Sequence, residues 1–165
     1  MDAWLVTDER SELRAKLRRL AAEHEVTPAM AGHTAGALCV QPQPVTHTSH
    51  PTFGYAIRAG NRLVVWAPEF WQFPAWAAGA DLMFAEAAAW DRPIRFRGGV
   101  GGHASLHSTA EQAEQLGVRR LVYAHIGRPV IRAMDAGLQP PMGEWGIEGH
   151  TYQLPVQGPG PGRLA

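Results

Sequence analysis

Histidine is the residue type in this sequence whose placement most suggests chemistry. The chain carries eight histidines. His47 follows the strand-like run PQPV, His103 follows a glycine-rich stretch, and His125 ends the apolar run RRLVYA. A neutral imidazole can bind zinc through one nitrogen while a hydrogen bond to the other nitrogen orients the ring. Loops and strand ends commonly carry functional groups, so these three are either site residues or hydrogen-bonded structural histidines.

Carboxylates lie between these histidines in the sequence. Glu69, Asp81 and Glu86 could each bind a metal or orient an imidazole. The sequence contains neither HExxH nor CxxC, so it has no strong local metal motif. Any metal site therefore has to be assembled from residues on separate secondary-structure elements.

Three segments with strand character precede the glycine-rich stretch. The run ALCVQPQPV favours an extended strand, and FGYAIRAGNRLVVWA predicts a β-hairpin with Gly60 and Asn61 at its turn. A further buried strand is predicted at DLMFAE. The glycines at positions 98, 99, 101 and 102 then predict a flexible loop.

A helix and a strand are predicted between His103 and His125. The segment STAE at 108–111 fits a capping box, and a helix that begins at Ser105 is an equal alternative. Gly117 is typical of the position after a helix C-terminus, and RRLVYA predicts a buried strand. We therefore expect an α/β fold with a mixed sheet.

The N-terminal segment predicts one more helix. Thr7 or Asp8 can cap it, and Leu13, Leu17 and Leu20 fall on one of its faces. Its basic residues favour a solvated outer face over a phosphate-binding surface. The order along the chain is thus helix, strands, helix, strand.

Composition limits the classes of function. Fifteen Lys and Arg balance fifteen Asp and Glu, so net charge does not draw the chain to nucleic acid or to an anionic membrane. The single cysteine, Cys39, excludes an internal disulfide and fits a reducing compartment. No signal peptide or uninterrupted apolar span is visible, which predicts a soluble, cytoplasmic protein. We expect one domain over residues 1–154 and a disordered tail over 155–165.

Five sequence blocks together resemble a known family. In chain order they are VTHTSHPTFGYAI, RLVVWAPEF, ADLMFAEAAAW, GGHAS and GVRRLVYAHIGRP. They resemble the C-terminal half of the metallo-β-lactamase superfamily and are most similar to its ribonuclease Z-like branch. Members of that branch are usually dinuclear zinc phosphodiesterases. The resemblance covers roughly residues 3–154 and implies an αββα sandwich that is only partly present and lacks its N-terminal part, together with hydrolase activity and two divalent metal ions.

The resemblance implies a role for each matched residue. His47 corresponds to a histidine ligand of the first metal, and His125 to a ligand of the second. Glu69 stands where the family usually carries an aspartate that bridges both metals. His103 corresponds to the histidine that assists the leaving group, and Glu86 to the carboxylate that orients it.

Several other residues have two readings each. Arg128 of HIGRP could bind a substrate phosphate through its guanidinium, or fix its loop by a salt bridge. Asp81 is expected to support the site or the fold and not to bind metal. Four tryptophans could form an aromatic substrate wall or pack in the core. These are Trp66, Trp71, Trp76 and Trp90.

Two departures from the family pattern affect the expected site. The bridging carboxylate is a glutamate, whose extra methylene moves the carboxyl group further from the backbone. The family motif HxHxDH is absent from the sequence. The simplest expectation is that the chain starts after that motif, as a truncated reading frame, a gene fragment or a genuine half-domain. Each metal would then lack two protein ligands.

Two functions from different classes follow. The first is a metal-dependent hydrolase that acts on a small-molecule or RNA phosphodiester, with lactones, thioesters and β-lactams as other bonds cleaved by relatives. The alternative is a truncated, catalytically inactive half-domain that self-associates as a homodimer or needs a partner chain. No membrane partner is expected in either case.

Overall fold

A computed structural model describes residues 3–5, 19, 23, 27–29, 32–48, 51–99 and 101–154. The helix predicted around Leu13, Leu17 and Leu20 and the tail predicted over 155–165 lie outside these residues. Arg19 and Glu23 are helical, and their side chains form an ion pair at 3.9 Å. No helix in the described ranges combines the length and the apolarity that crossing a membrane requires.

Strands dominate the described residues. The strands are β1 (Ala3–Leu5), β2 (Thr27–Ala29), β3 (His33–Ala35), β4 (Leu38–Val45), β5 (Thr52–Ala59), β6 (Arg62–Ala67), β7 (Leu82–Ala87), β8 (Ile94–Arg95), β9 (Gly102–His103), β10 (Leu121–Ile126) and β11 (Glu144–Trp145). The helices that lie entirely within the described ranges are α1 (Leu106–Gln115) and α2 (Arg128–Asp135), with short 3-10 turns at Ala75–Ala77 and Arg97–Gly99.

One mixed sheet of seven strands organises the fold. Its order is β11-β10-β7-β6-β5-β4-β3. Strands β3 to β6 pair antiparallel, whereas β6, β7, β10 and β11 pair parallel. Strands β1 and β2 form a small parallel pair, and β8 and β9 a small antiparallel pair. The prediction of an α/β fold with a mixed sheet is confirmed.

The helices cover one face of this sheet, which we call the helix face. Successive side chains of a strand point to opposite faces, so Leu63, Val65 and Ala67 of β6 share a face. Their neighbours in β7 are Met83, opposite Val65, and Ala85, opposite Ala67. All five are buried in one cluster with residues of α1 and α2. This cluster is the core of the described part of the chain.

The other face of the sheet, which we call the second face, is also apolar at its centre. There Val64 lies opposite Leu82, and Trp66 lies opposite Phe84, which in turn neighbours Val122. Leu82 and Val122 are buried, but Trp66 is 42% exposed. Trp66, a large aromatic residue near the centre of the sheet, therefore reaches solvent. Core packing, one of the two roles considered for the four tryptophans, does not describe Trp66.

The local predictions are confirmed where they depend on turn chemistry. The hairpin β5–β6 turns at Gly60, whose φ of 58° is a left-handed conformation that glycine adopts without strain. Strands are present at ALCVQPQPV and DLMFAE, as predicted. Gly117 follows α1 with a φ of 69°.

Other local predictions are wrong or incomplete. The cap of α1 is Ser105, whose side chain accepts a hydrogen bond from the Ser108 N–H, so the alternative start at Ser105 is confirmed and the start at the capping box 108–111 is wrong. The predicted loop contains a short strand, because Gly102 and His103 pair with Ile94 and Arg95. Helix α2 and strand β11 were not anticipated, although the proline in the first turn of α2 is a typical start signal.

Candidate metal centre

Three of the predicted site histidines meet at one end of the sheet. His47 follows β4, His103 ends β9, and His125 lies near the end of β10. The ring centroids of His47 and His103 are 4.8 Å apart, and those of His103 and His125 are 5.1 Å apart. Residues separated by up to 78 positions in the sequence, the difference between 125 and 47, are therefore neighbours in the fold.

Glu86 forms hydrogen bonds with two of these rings, those of His103 and His125. Its side chain is fully buried on β7, and each carboxylate oxygen accepts two hydrogen bonds. Oε1 accepts from the Ala88 N–H at 2.8 Å and from His125 Nδ1 at 3.0 Å. Oε2 accepts from the Phe70 N–H at 3.1 Å and from His103 Nδ1 at 2.8 Å. Because an ionised carboxylate can only accept, Nδ1 carries the proton in both imidazoles.

A β-bulge brings His125 to this carboxylate. In the parallel pairing of β10 with β7, Tyr123 lies opposite Ala85 and His125 lies opposite Glu86, so Ala124 is an extra residue. In a regular strand, two residues that are two positions apart share a face. The bulge instead leaves Tyr123 buried in the core of the helix face and turns His125 toward Glu86.

His47 is fixed by backbone and not by a carboxylate. Its Nδ1 lies 2.9 Å from the carbonyl oxygen of Gly102, and the Gly102 N–H donates to the carbonyl oxygen of His47 at 2.9 Å. A carbonyl only accepts, so Nδ1 is again the protonated nitrogen. This approach requires glycine, because a Cβ on Gly101 would lie 2.0 Å from the His47 carbonyl oxygen. The glycine-rich stretch thus allows the backbone at Gly101 and Gly102 to pack directly against the backbone of His47.

The carboxylate of Glu69 lies close to the rings of His47 and His125. Its Oε2 lies 3.2 Å from His47 Nε2, and its Oε1 lies 3.7 Å from His125 Nε2. With Nδ1 protonated in each ring, a neutral imidazole directs its Nε2 lone pair at a carboxylate oxygen. Two such contacts are repulsive unless a cation or proton lies between them. Each oxygen of Glu69 is thus placed for a separate positive charge between it and the Nε2 atom that it faces.

The donor set therefore fits a metal through Glu69 and not through Glu86. The ligand atoms of His47, Glu86 and His103 lie within 4.8 Å of one another, which is a possible metal group by distance alone. Both oxygens of Glu86 are already occupied by four hydrogen bonds, whereas Glu69 is about half exposed and faces two free Nε2 atoms. We accordingly treat Glu86 as the group that orients the rings.

An aromatic residue that sequence reasoning missed packs on the cluster. The Phe96 ring meets His47 at 5.4 Å and His103 at 5.2 Å, both edge to face. It is the one half-buried residue between positions 91 and 99. An apolar residue inside a run rich in arginine and glycine was the available signal. Phe96 limits the tilt of both rings and shields them from water on that side.

Two other charged residues lie outside the cluster. Asp81 accepts hydrogen bonds from Arg62 and Arg119 at 2.8 and 2.7 Å and from the Leu63 N–H at 2.9 Å. Burial acts to raise the pKa of Asp81, but these hydrogen bonds and the two arginine charges outweigh it and leave the pKa below its ordinary value. Asp81 thus supports the fold, in line with the expectation for it.

Arg128 is exposed at the first residue of α2, three positions after His125. Within the part of the chain that the structure describes, no ion pair holds Arg128. The salt bridge considered for Arg128 is therefore not found among the described residues. Its side chain is exposed to solvent.

The fold and this cluster define an α/β protein with a candidate metal centre built on strand ends. The family model described as the beta-lactamase superfamily domain matches residues 2–126. The chain belongs to this family. No curated protein matches the sequence significantly.

Solved structures show the same fold at low sequence identity. The metallo-beta-lactamase fold protein YhfI from Bacillus subtilis has 16% identity and a TM-score of 0.60, over 87% of this chain and 60% of YhfI. A new diphosphatase from the PhnP family has 18% identity and a TM-score of 0.55, over 86% of this chain and 55% of that protein. The chain thus spans a little more than half the length of these two proteins, and the expected metallo-β-lactamase fold is confirmed.

Proposed function

We propose that this chain carries part of the catalytic centre of a metal-dependent phosphodiester hydrolase. The observation that carries the proposal is the placement of Glu69 against two imidazoles. Each of its oxygens faces the Nε2 of a different histidine, while the Nδ1 of each ring is held elsewhere. A carboxylate shared in this way between two histidines is the arrangement that a bridging ligand requires.

His47, His125 and Glu69 would hold the metal ions. Imidazole nitrogen and carboxylate oxygen are suitable ligands for zinc, so zinc is the metal we propose, with two ions per complete site. Bound metal of this kind lowers the pKa of water and polarises a phosphoryl oxygen. The extra methylene of Glu69 relative to aspartate is compatible with this role, because the side chain reaches both histidines from a half-exposed position.

His103 is proposed as the proton donor to the leaving oxygen. Its Nδ1–H donates a hydrogen bond to the buried carboxylate of Glu86, which fixes the orientation of the ring. When the ring is doubly protonated, Nε2 carries the proton that is donated to the departing oxygen. Since Glu86 also binds His125, one carboxylate sets the orientation of the proposed donor and of a proposed ligand together.

A phosphodiester is the substrate class we favour, as in the ribonuclease Z-like branch. Arg128, exposed beside the end of β10, supports it, because a guanidinium fork matches phosphate oxygens. The likeness to a diphosphatase supports phosphate chemistry only through the shared fold. A small-molecule or RNA phosphodiester and a cytoplasmic location remain part of this proposal.

A second candidate function is an inactive half-domain that pairs with itself or with another chain. It is favoured by the ligand count, since among the described residues only two histidines and one carboxylate are placed to hold two metals. Zinc sites that keep catalytic activity usually have three protein ligands per metal.

Metal content and hydrolysis, measured together, test the proposal. The chain is purified without chelators, its zinc, manganese and iron are determined by mass spectrometry, and it is assayed with bis(p-nitrophenyl) phosphate. We expect bound zinc that His47→Asn and His125→Asn each reduce, together with metal-dependent hydrolysis. The matched control is His107→Asn, since His107 packs on Trp90 away from the cluster. Metal content that is near zero, or equal in all four proteins, would favour the half-domain.

A further inference from the structure

Three exposed arginines lie on one short segment next to the histidine cluster and have no part in the proposed metal chemistry. They are Arg92, Arg95 and Arg97 in the run RPIRFR, which we call the arginine segment (residues 92–97). Within the described ranges, no carboxylate forms an ion pair with any of the three. Their positive charge is therefore available to an anion from solution.

The arginine segment is attached to the histidine cluster by strand pairing and by a ring. Strand β8 pairs with β9, which places Ile94 directly opposite His103. The Phe96 ring, two residues further on, contacts the rings of His47 and His103 at 5.4 and 5.2 Å. Residues directly opposite each other in an antiparallel pair have Cβ atoms about 4.5–5.5 Å apart. The segment thus lies one strand spacing from the proposed proton donor.

Arg95 lies on the other side of the β8–β9 pair from the histidine rings. Successive residues of a strand point to opposite sides, so Arg95 points away from the side that Ile94 and Phe96 share. Its guanidinium lies over the Trp71 ring, 5.3 Å from the ring centroid. Trp71 follows Glu69 by two residues. A group bound by Arg95 would therefore lie beside the proposed metal centre and not inside it.

The contact with Trp71 holds Arg95 and leaves its donors for an anion. A guanidinium that lies over an aromatic ring keeps its N–H groups, which point outward in its own plane, for hydrogen bonds. The Trp71 N–H donates to the Thr46 carbonyl oxygen at 2.6 Å, and the Trp71 ring packs so closely on Gly102 that a Cβ there would lie 2.9 Å from it. An arginine held on a fixed ring loses less side-chain freedom when it binds a ligand.

We propose that Arg95, supported by Arg97, binds a second phosphate group of the substrate, next to the phosphodiester at the histidine cluster. The inference rests on the proposed function and deepens it, because the substrate must then carry at least two phosphate groups. A guanidinium fork matches two phosphate oxygens, and Arg97, exposed two residues further on, adds a second positive charge. The second phosphate belongs either to the next link of a nucleic acid strand or to the end of a small diester.

Binding of short thymidine oligonucleotides to the metal-free chain tests this phosphate site separately from hydrolysis. Isothermal titration in chelator compares TpT, which has one phosphate, with pTpT and TpTpT, which add a terminal and an internal phosphate respectively. We expect at least one of these two to bind more tightly than TpT, and which one does identifies the source of the second phosphate. Arg95→Gln should weaken that probe about 3- to 10-fold, as expected for loss of one charge-assisted contact at an exposed site, and remove its advantage over TpT. Arg95→Lys, which keeps the charge but not the fork, should retain part of the advantage.

Arg58→Gln is the matched control, since it removes the same charge from an exposed arginine at the far end of the sheet. Arg58 lies opposite Cys39, six residues before Val45 in β4 and so about 20 Å from the end of the strand that leads to His47. Its oligonucleotide affinities should equal those of the wild type. Equal affinity for all three probes, or the same affinities in Arg95→Gln as in Arg58→Gln, overturns this inference even if the chain hydrolyses phosphodiesters. An advantage that only Arg95→Gln removes supports the phosphate site even if the chain binds no metal and the proposed hydrolase function fails.

Discussion

Replacing Glu86 by glutamine changes one atom of the side chain and removes the arrangement that orients two histidines. The carboxylate accepts two hydrogen bonds at each oxygen, one from a backbone N–H and one from an imidazole. A glutamine presents one oxygen and one NH2 group. Whichever way the amide is placed, its NH2 faces the N–H of Phe70 or of Ala88, and neither backbone group can become an acceptor.

The magnitude follows from these contacts. A buried N–H without a partner costs about 1–3 kcal/mol, and each remaining hydrogen bond loses the contribution of a charged acceptor. We expect Glu86→Gln to lower the free energy of unfolding by about 2–4 kcal/mol. For a chain of this size that corresponds to a decrease in Tm of about 5–15 °C. The imidazole that faces the NH2 must also move its proton from Nδ1 to Nε2, which removes a metal-binding lone pair.

The assay compares two glutamate-to-glutamine variants in the absence of metal. Thermal unfolding is measured in chelator for wild type, Glu86→Gln and Glu69→Gln, and the histidine tautomers are read from imidazole ¹⁵N shifts. Glu69 is 46% exposed and has no backbone donor among its described contacts, so Glu69→Gln should leave Tm nearly unchanged. Both variants should bind less zinc, but only Glu86→Gln should shift a tautomer.

Two results would refute this reasoning. If metal-free Glu86→Gln unfolds within about 2 °C of the wild type, the four hydrogen bonds do not contribute as the structure implies. If its tautomers are unchanged while zinc binding is lost, Glu86 binds metal directly and does not act through His103 and His125.

The remaining predictions concern proton donation, acid stability and backbone packing. His103→Ala in a protein that hydrolyses phosphodiesters should lower turnover about 10²- to 10⁴-fold with metal content unchanged; equal loss of metal would contradict its role as donor. Folding lowers the pKa of Asp81. The stabilisation that ionised Asp81 gives the fold is therefore present above 3.8, the pKa of Asp81 in the unfolded chain, and is lost as pH falls through its pKa in the folded chain. Unfolding of Asp81→Asn between pH 6 and pH 3 should therefore vary less with pH than wild type, and an equal slope would refute this. Gly102→Ala places a Cβ 1.9 Å from the Ile94 carbonyl oxygen and should lower Tm measurably, whereas an unchanged Tm would show that the β8–β9 pair yields easily.

Sequence reasoning succeeded where the determinants are local. Gly60 and Asn61 between two apolar runs specify a hairpin, and DLMFAE has the length and apolarity of a buried strand. These elements carry or adjoin several of the site residues. The family blocks supplied the rest of the fold prediction, which the sheet and the family match confirm.

The geometry of the site could not be predicted in the same way. The four donors to Glu86 come from positions 2, 16, 17 and 39 residues away, so no local pattern contains them. Periodicity alone would place His125 on the same face as Tyr123, because only the pairing with β7 reveals the bulge between them. The glycines after Phe96 predict a loop, but not that the Phe96 ring contacts two histidines, one of them 49 positions earlier in the sequence.

The bulge at Ala124 has a consequence for how this family member can vary. Residues before it, such as Leu121 and Tyr123, are selected for packing against the helices, and His125 after it is selected for its position opposite Glu86. The extra residue separates these two constraints along a single strand. Substitutions at Leu121 or Tyr123 therefore need not change the direction in which the His125 side chain points. Deletion of Ala124 would leave Tyr123 opposite Ala85 and His125 opposite Glu86, in a strand without a bulge.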